Sequence, residues 1–297
     1  MTRPNCPPQT SATESGGRPA GRSPAQLSRS LTGRDYISYS ALNLYRQCPL
    51  QYRFRYVDQR PEPLVSASLV FGGAVHAALQ RFFQEQLTGR SVPLTELMEV
   101  FHQYWQAETK TRTVQYAKGE DAPGLKERAR SMLQAFLASP QARPEGRIVG
   151  VEEELVTKLA DDVPPLLARV DLLVDTGREL RIIDLKTART RWTAEQAEQA
   201  ADQLWLYAQA ARRLIPQRRL KLEFVVLTKT RQPAVQTLPV PLQEQHWSRV
   251  RELARLVWRA ITAGLFYPAP SPLRCPTCPF QPACRPWPTS PELVQQS

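Results

Sequence analysis

The sequence predicts an α/β fold in which a central mixed β-sheet is flanked by helices. Three features carry that prediction. Between Arg147 and Leu185, three runs of β-branched and aliphatic residues follow one another, with "DTGR" (175–178) as the turn between the second and third, the pattern of a meander. On either side lie stretches whose apolar residues recur at helical spacing. After the second group of these, "LKLEFVVLTKT" (220–230) is a nearly continuous apolar run, as expected of a buried strand.

The elements follow in order. From Met1 to about Gly33, Pro, Ser, Gly and Arg dominate and large apolar residues are scarce, so residues 1–34 are expected to form a disordered basic tail. Cys6 would be a free thiol within it. In "YISYSALNLYRQCPLQYRFRYV", Ser38 or Ser40 can cap a helix carrying Leu42, Leu44 and Tyr45, and Pro49 interrupts it. "FGGAVHAALQRFFQEQL" predicts a helix with Val75, Leu79, Phe82 and Phe83 turned inward, and helices are expected at about 94–117 and 124–139. Strands are expected at 147–159, 166–175 and 179–185. A long helix at 193–215, the strand at 220–230, a shorter strand in "AVQTLPV" and a final helix ending near Gly264 complete the order. Residues 35–297 are expected to form a single domain: a helical segment (72–140), a sheet core (147–240) and a cysteine element (275–284) joined by Cys48.

Composition narrows the function classes. Lys and Arg total 39 against 28 Asp and Glu, a formal net charge of +11, which favours a polyanionic partner such as nucleic acid. The tail holds five Arg and one Glu, so the remaining chain still carries most of the excess. No apolar run approaches the ~20 residues that span a bilayer, and the N-terminus lacks the apolar core of a secretory signal. A cytoplasmic protein without membrane contact is therefore expected. No GxxxxGK[ST] phosphate loop occurs, so any ATP-driven motor would be another chain.

The third run ends on "RIIDLKTART" (181–190), and its alternation puts Ile183 and Leu185 on one face and Ile182, Asp184 and Lys186 on the other. With the turn centred on Thr176-Gly177, Asp171 falls roughly opposite Ile182 and on the face of Asp184. Two carboxylates on one face suit Mg²⁺ or Mn²⁺, hard ions that keep several waters and take one or two protein acids. Lys186 beside them could orient or help deprotonate a water and offset charge at a phosphorane-like transition state.

"ARVD" (168–171) followed by "IIDLKT" (182–187) resembles the paired acids and the D/E-x-K element of the PD-(D/E)XK nuclease superfamily. "FGGAVH", ending at His76, is similar to the upstream helix histidine of the RecB-like branch. "ADQLWLY" supplies Gln203 and Tyr207 in that branch's Q-x-x-x-Y pattern, and "SYSALNLYRQCPLQYRFRY" is similar to its N-terminal element. The resemblance spans about residue 36 to the C-terminus. It implies a restriction-endonuclease-like core, metal ligation by His76, Asp171, Asp184 and the Leu185 carbonyl, catalysis with Lys186, and DNA contact through Gln203 and Tyr207. An acid of "GVEEEL" is also expected near the metal, with Glu152 and Glu154 both open. His102 and His246 match nothing and are expected to be structural or surface residues.

Cys275, Cys278 and Cys284 form a C-x₂-C-x₅-C pattern, and Cys48 lies far upstream. Spacing alone leaves Zn²⁺ and a [4Fe–4S] cluster equally open. Nucleases of the AddB type and CRISPR-adaptation exonucleases, which this arrangement resembles, join one upstream and three downstream cysteines through a [4Fe–4S] cluster, implying the same here. The function implied is a metal-dependent DNA nuclease, an exonuclease of recombination and repair with a helicase or recombination partner chain. The alternatives are a CRISPR-adaptation nuclease and a catalytically idle, zinc-stabilised nucleic-acid-binding module.

Overall fold

The computed structural model describes residues 22–215 and 217–286. The expected thiol at Cys6 and the tail before residue 22 lie outside them. Within the expected tail, residues 24–32 form α1 (Pro24–Thr32), which corrects that expectation. Ser23 and Gln26 build a reciprocal capping box, Pro24 occupies the first turn, and Gly33 closes the helix at φ 73°. Leu27 and Leu31 then pack against the main core, so two leucines suffice to order a segment that is polar in composition.

β1 (Ile37–Ser38) leads into α2 (Tyr39–Gln47), capped by the Ser38 hydroxyl, which accepts from the Ala41 amide. α3 (Pro49–Tyr52) follows and widens into a π-turn at Arg53–Val57. β2 (Leu64–Ser66) precedes the long α4 (Ala67–Leu87). The helix expected to 117 ends earlier, as α5 (Leu94–Thr109), and the β-branched "TVQ" that follows is β3 (Thr113–Gln115), paired in parallel with β2. α6 (Ala122–Leu137) closes this layer.

The main sheet contains β1, β4 (Arg147–Thr157), β5 (Leu166–Asp175), β6 (Glu179–Ala188), β7 (Arg219–Thr228) and β8 (Val235–Val240). β4, β5 and β6 form the antiparallel meander, β7 runs parallel to β6, and β8 returns antiparallel, so the sheet is mixed. The parallel step needs a crossover, supplied by α7 (Ala194–Gln199) and α8 (Asp202–Leu214). A single helix was expected there. It breaks at Ala200-Ala201 because its two parts follow different surfaces, α7 against β8 and α8 across β4 to β7. α9 (Glu244–Thr262) completes that layer, and α10 (Gln281–Cys284) lies among the C-terminal cysteines.

Each sheet face buries its own core. Ile182, Phe224 and Val226 pack with Leu204, Trp205 and Trp258 of α8 and α9, while Ile183, Leu185 and Val225 pack with Phe71, Val75 and Phe83 of α4. A strand run buried on both faces is what the apolar stretch at 220–230 requires. No helix among the described residues is long and apolar enough to cross a membrane.

Candidate metal centre and active site

The hairpin register is offset by two residues from the sequence expectation: Leu173, not Asp171, pairs with Ile182, and Leu172 pairs with Ile183. One step further along that register, Asp171 comes opposite Asp184. Because side chains alternate with a period of two, the offset leaves Asp171 on the expected face. The difference arises in the turn, where the Thr176 amide donates to the Glu179 carbonyl and Gly177 takes φ 83°.

The strands part at these acids. β5 pairs with β6 only over Leu172–Asp175, β1 takes its flank at Leu166–Leu167, and β6 continues along β7 to Ala188. Main-chain groups of β6 facing the gap therefore need other partners. The Leu185 amide donates to Asp171 Oδ2 at 2.7 Å. His76 Nδ1 stands 3.7 Å from Asp171 Oδ2. Its helix comes this close because of two glycines. A Cβ on Gly72 would lie 3.3 Å from Thr187 Oγ1 of β6, and one on Gly73 would lie 2.4 Å from the Tyr104 hydroxyl of α5. Gly73→Ala would push the Tyr104 ring aside, a cost set against the ~0.5–1 kcal/mol that Ala gains over Gly inside a helix.

Glu152 completes the group. One ligand atom from each of His76, Glu152 and Asp171 lies within 4.8 Å of the others. Glu152 holds φ 53°, a left-handed conformation that a glutamate rarely adopts, between the Val151–Leu172 and Glu153–Val170 pairs. Glu154 instead bonds Arg169 at the surface. Three consecutive glutamates hide this choice from sequence; the distorted strand makes it.

Asp184 is 1 % exposed, and neither carboxylate oxygen has a directed hydrogen bond. Lys186 Nζ approaches Asp184 Oδ2 at 2.6 Å as an ionic contact and donates to Gln203 Oε1 at 2.8 Å. Gln203 in turn donates to the Tyr207 hydroxyl at 2.7 Å. Gln203 and Tyr207 thus stand behind the lysine, with Tyr207 buried. His102 and His246 lie apart from this group; His246 stacks on Trp205 and accepts from the Gln243 amide.

Electrostatics match a cation site. Burial, then repulsion by Asp184, holds the Asp171 carboxyl well above the usual range, and burial raises Glu152. Burial would lower Lys186, but attraction to Asp184 and Asp171 outweighs it and raises the ammonium. Burial lowers His76. Two carboxylates and a neutral-leaning imidazole, from Glu152, Asp171 and His76, form a donor set that fits a divalent ion, while the buried Asp184 carboxylate, paired with Lys186, is not part of that 4.8 Å group.

The pH dependence follows. Raised Asp171 contributes stability below its unfolded pKa and loses it as pH rises through the folded value; lowered His76 contributes stability above about 6.5 and loses it as pH falls through its folded value. An ion needs Asp171 ionised and His76 neutral, and higher pH favours both. The thermal shift produced by Mn²⁺ is therefore expected to be several degrees at pH 8 and near zero at pH 5. A pH-independent shift would contradict this site.

The sequence matches the PD-(D/E)XK nuclease superfamily over residues 36–285, and the chain belongs to that superfamily. A crystal structure from Eubacterium rectale described as "Putative exonuclease" shares the fold with a TM-score of 0.55 at 12 % identity, covering 88 % of this chain and 92 % of its own. A crystal structure of SSO0001 covers 83 % of this chain and 94 % of its own at 14 % identity, with a TM-score of only 0.35. No curated protein sequence matches. The chain is a nuclease by family, and its superfamily works with divalent metals.

Proposed function

We propose that this nuclease is a Mg²⁺- or Mn²⁺-dependent deoxyribonuclease acting as an exonuclease in DNA recombination and repair, alongside a helicase or recombination partner chain in the cytoplasm. The observation that carries the reading is the gathering of His76, Glu152 and Asp171 within 4.8 Å, beside the buried Asp184–Lys186 pair on the strand that parts from Asp171. His76, Glu152, Asp171, Asp184 and the Leu185 carbonyl would hold the ion. When bound, it supplies Lewis acidity to the phosphodiester and to the attacking water. Lys186, held by Gln203, orients that water and offsets charge developing on the phosphoryl oxygens. Attack at phosphorus with release of the 3′-oxygen leaves a 5′-phosphate and a 3′-hydroxyl. The exonuclease and repair assignments draw on the family resemblance and the helical layer of α5 and α6. Cleavage of end-labelled single- and double-stranded DNA with Mg²⁺ or Mn²⁺ tests the reading: a ladder growing from one end supports it, and an uncut substrate that the protein still binds favours the idle module.

We also infer that Cys48, Cys275, Cys278 and Cys284 hold a [4Fe–4S] cluster. All four thiols are free, and burial, then the neighbouring Cys48, Cys275 and Cys284, raise Cys278. The Ser271 amide points at Cys275 Sγ, 3.2 Å away, a donor suited to a ligating sulfur. Apolar burial does not account for the order of this region. Beyond Ile261, Phe280 is the one fully buried apolar residue among those described, packed on Leu50 and Phe54.

A further inference from the structure

The wall of the site opposite the acids carries an ion pair that the catalytic set does not use. Asp202 and Gln203 are consecutive residues at the start of α8. Gln203 holds Lys186; Asp202 holds Arg46 of α2, whose Nη1 lies 2.7 Å from Asp202 Oδ2. Arg249 of α9 reaches the other oxygen of the same carboxylate at 3.4 Å.

The charge balance is uneven. One carboxylate, 4 % exposed, faces two guanidiniums that are 37 % and 62 % exposed, so the group presents net positive charge to solvent. Arg46 spends one hydrogen bond on Asp202, leaving donors of its planar fork for a ligand. A pair with its carboxylate buried adds little stability over an apolar isostere, but it fixes the direction of the exposed partner. We propose that Arg46, with Arg249 beside it, binds a backbone phosphate of the nucleic-acid strand entering the site, and that Asp202 is its positioning residue. The inference rests on the nuclease reading above.

The test is equilibrium binding of labelled single-stranded and duplex DNA in EDTA, across a salt series. Arg46→Gln is expected to raise Kd about 5–10-fold and to reduce the slope of log K against log salt by about one. Because that variant strips a buried carboxylate of its partner, the double variant Arg46→Gln/Asp202→Asn provides the control for folding. With an amide pair in place of the ion pair, it should melt near the wild type yet show the same losses in affinity and slope. Asp202→Asn alone keeps both guanidiniums and should leave the slope unchanged. Wild-type binding by the double variant, or an affinity loss in Arg46→Gln with no change of slope, would overturn the proposal. Should the wild type bind and cut DNA while Arg46→Gln matches it, this inference alone falls; should the wild type bind no DNA, the nuclease reading falls with it.

Discussion

Asp184→Ala is expected to abolish detectable cleavage while leaving the DNA dissociation constant in EDTA within about two-fold of wild type. The carboxylate is buried beneath the site, so it has no surface to offer the DNA backbone, which is where affinity arises. Its loss would remove the proposed metal ligand and the counter-charge 2.6 Å from Lys186 Nζ. Several kcal/mol of transition-state stabilisation depend on such an ion, equivalent to about 10³-fold or more in rate. Cleavage by Asp184→Ala at the wild-type rate would sink the site assignment. Glu154→Ala is the matched control: it removes a neighbouring glutamate that bonds Arg169 at the surface and should cut normally.

Cys48→Ser is expected to remove the iron and the broad visible absorption of anaerobically purified protein and to lower the melting temperature by about 10 °C or more. Cys48 and Cys275 are 227 positions apart, and a crosslink closing so long a loop restricts the unfolded chain by about 5 kcal/mol in the loop-entropy account. At roughly 2–4 °C per kcal/mol for a chain of this size, the melting shift follows. The segment after Pro268 should then become the first site of limited proteolysis. Among the described residues, its remaining ties include Arg274 to the Gln47 carbonyl and the buried ring of Phe280. A variant that keeps its melting temperature and its resistance to proteolysis would show that the cysteines do not join the chain ends, and purified protein carrying stoichiometric zinc would favour the zinc-stabilised module.

Much of this protein can be read from local pattern. The alternation of "RIIDLKT" determines that Ile183 and Leu185 face one core while Ile182 shares the face of Asp184, because the pleat has a period of two whatever the strand pairs with. A serine cap at 38 or 40, of which the fold uses Ser38, and the stop near Gly264 follow likewise from groups within a few residues of each helix end. Tertiary structure decided what depends on distant partners. The hairpin slid by two residues without changing faces, since turn geometry and cross-strand packing choose among registers that the alternation leaves equivalent. Glu152 was selected over Glu154 by a backbone distortion where β5 leaves β6, and the helix at 193–215 divided because the surfaces beneath its halves differ. α1 formed where composition predicts disorder, because Leu27 and Leu31 found a core made by residues far along the chain. Periodicity is a property of the segment itself; register, strain and burial are free energies of contact with something else, and those contacts exist only once the chain has folded.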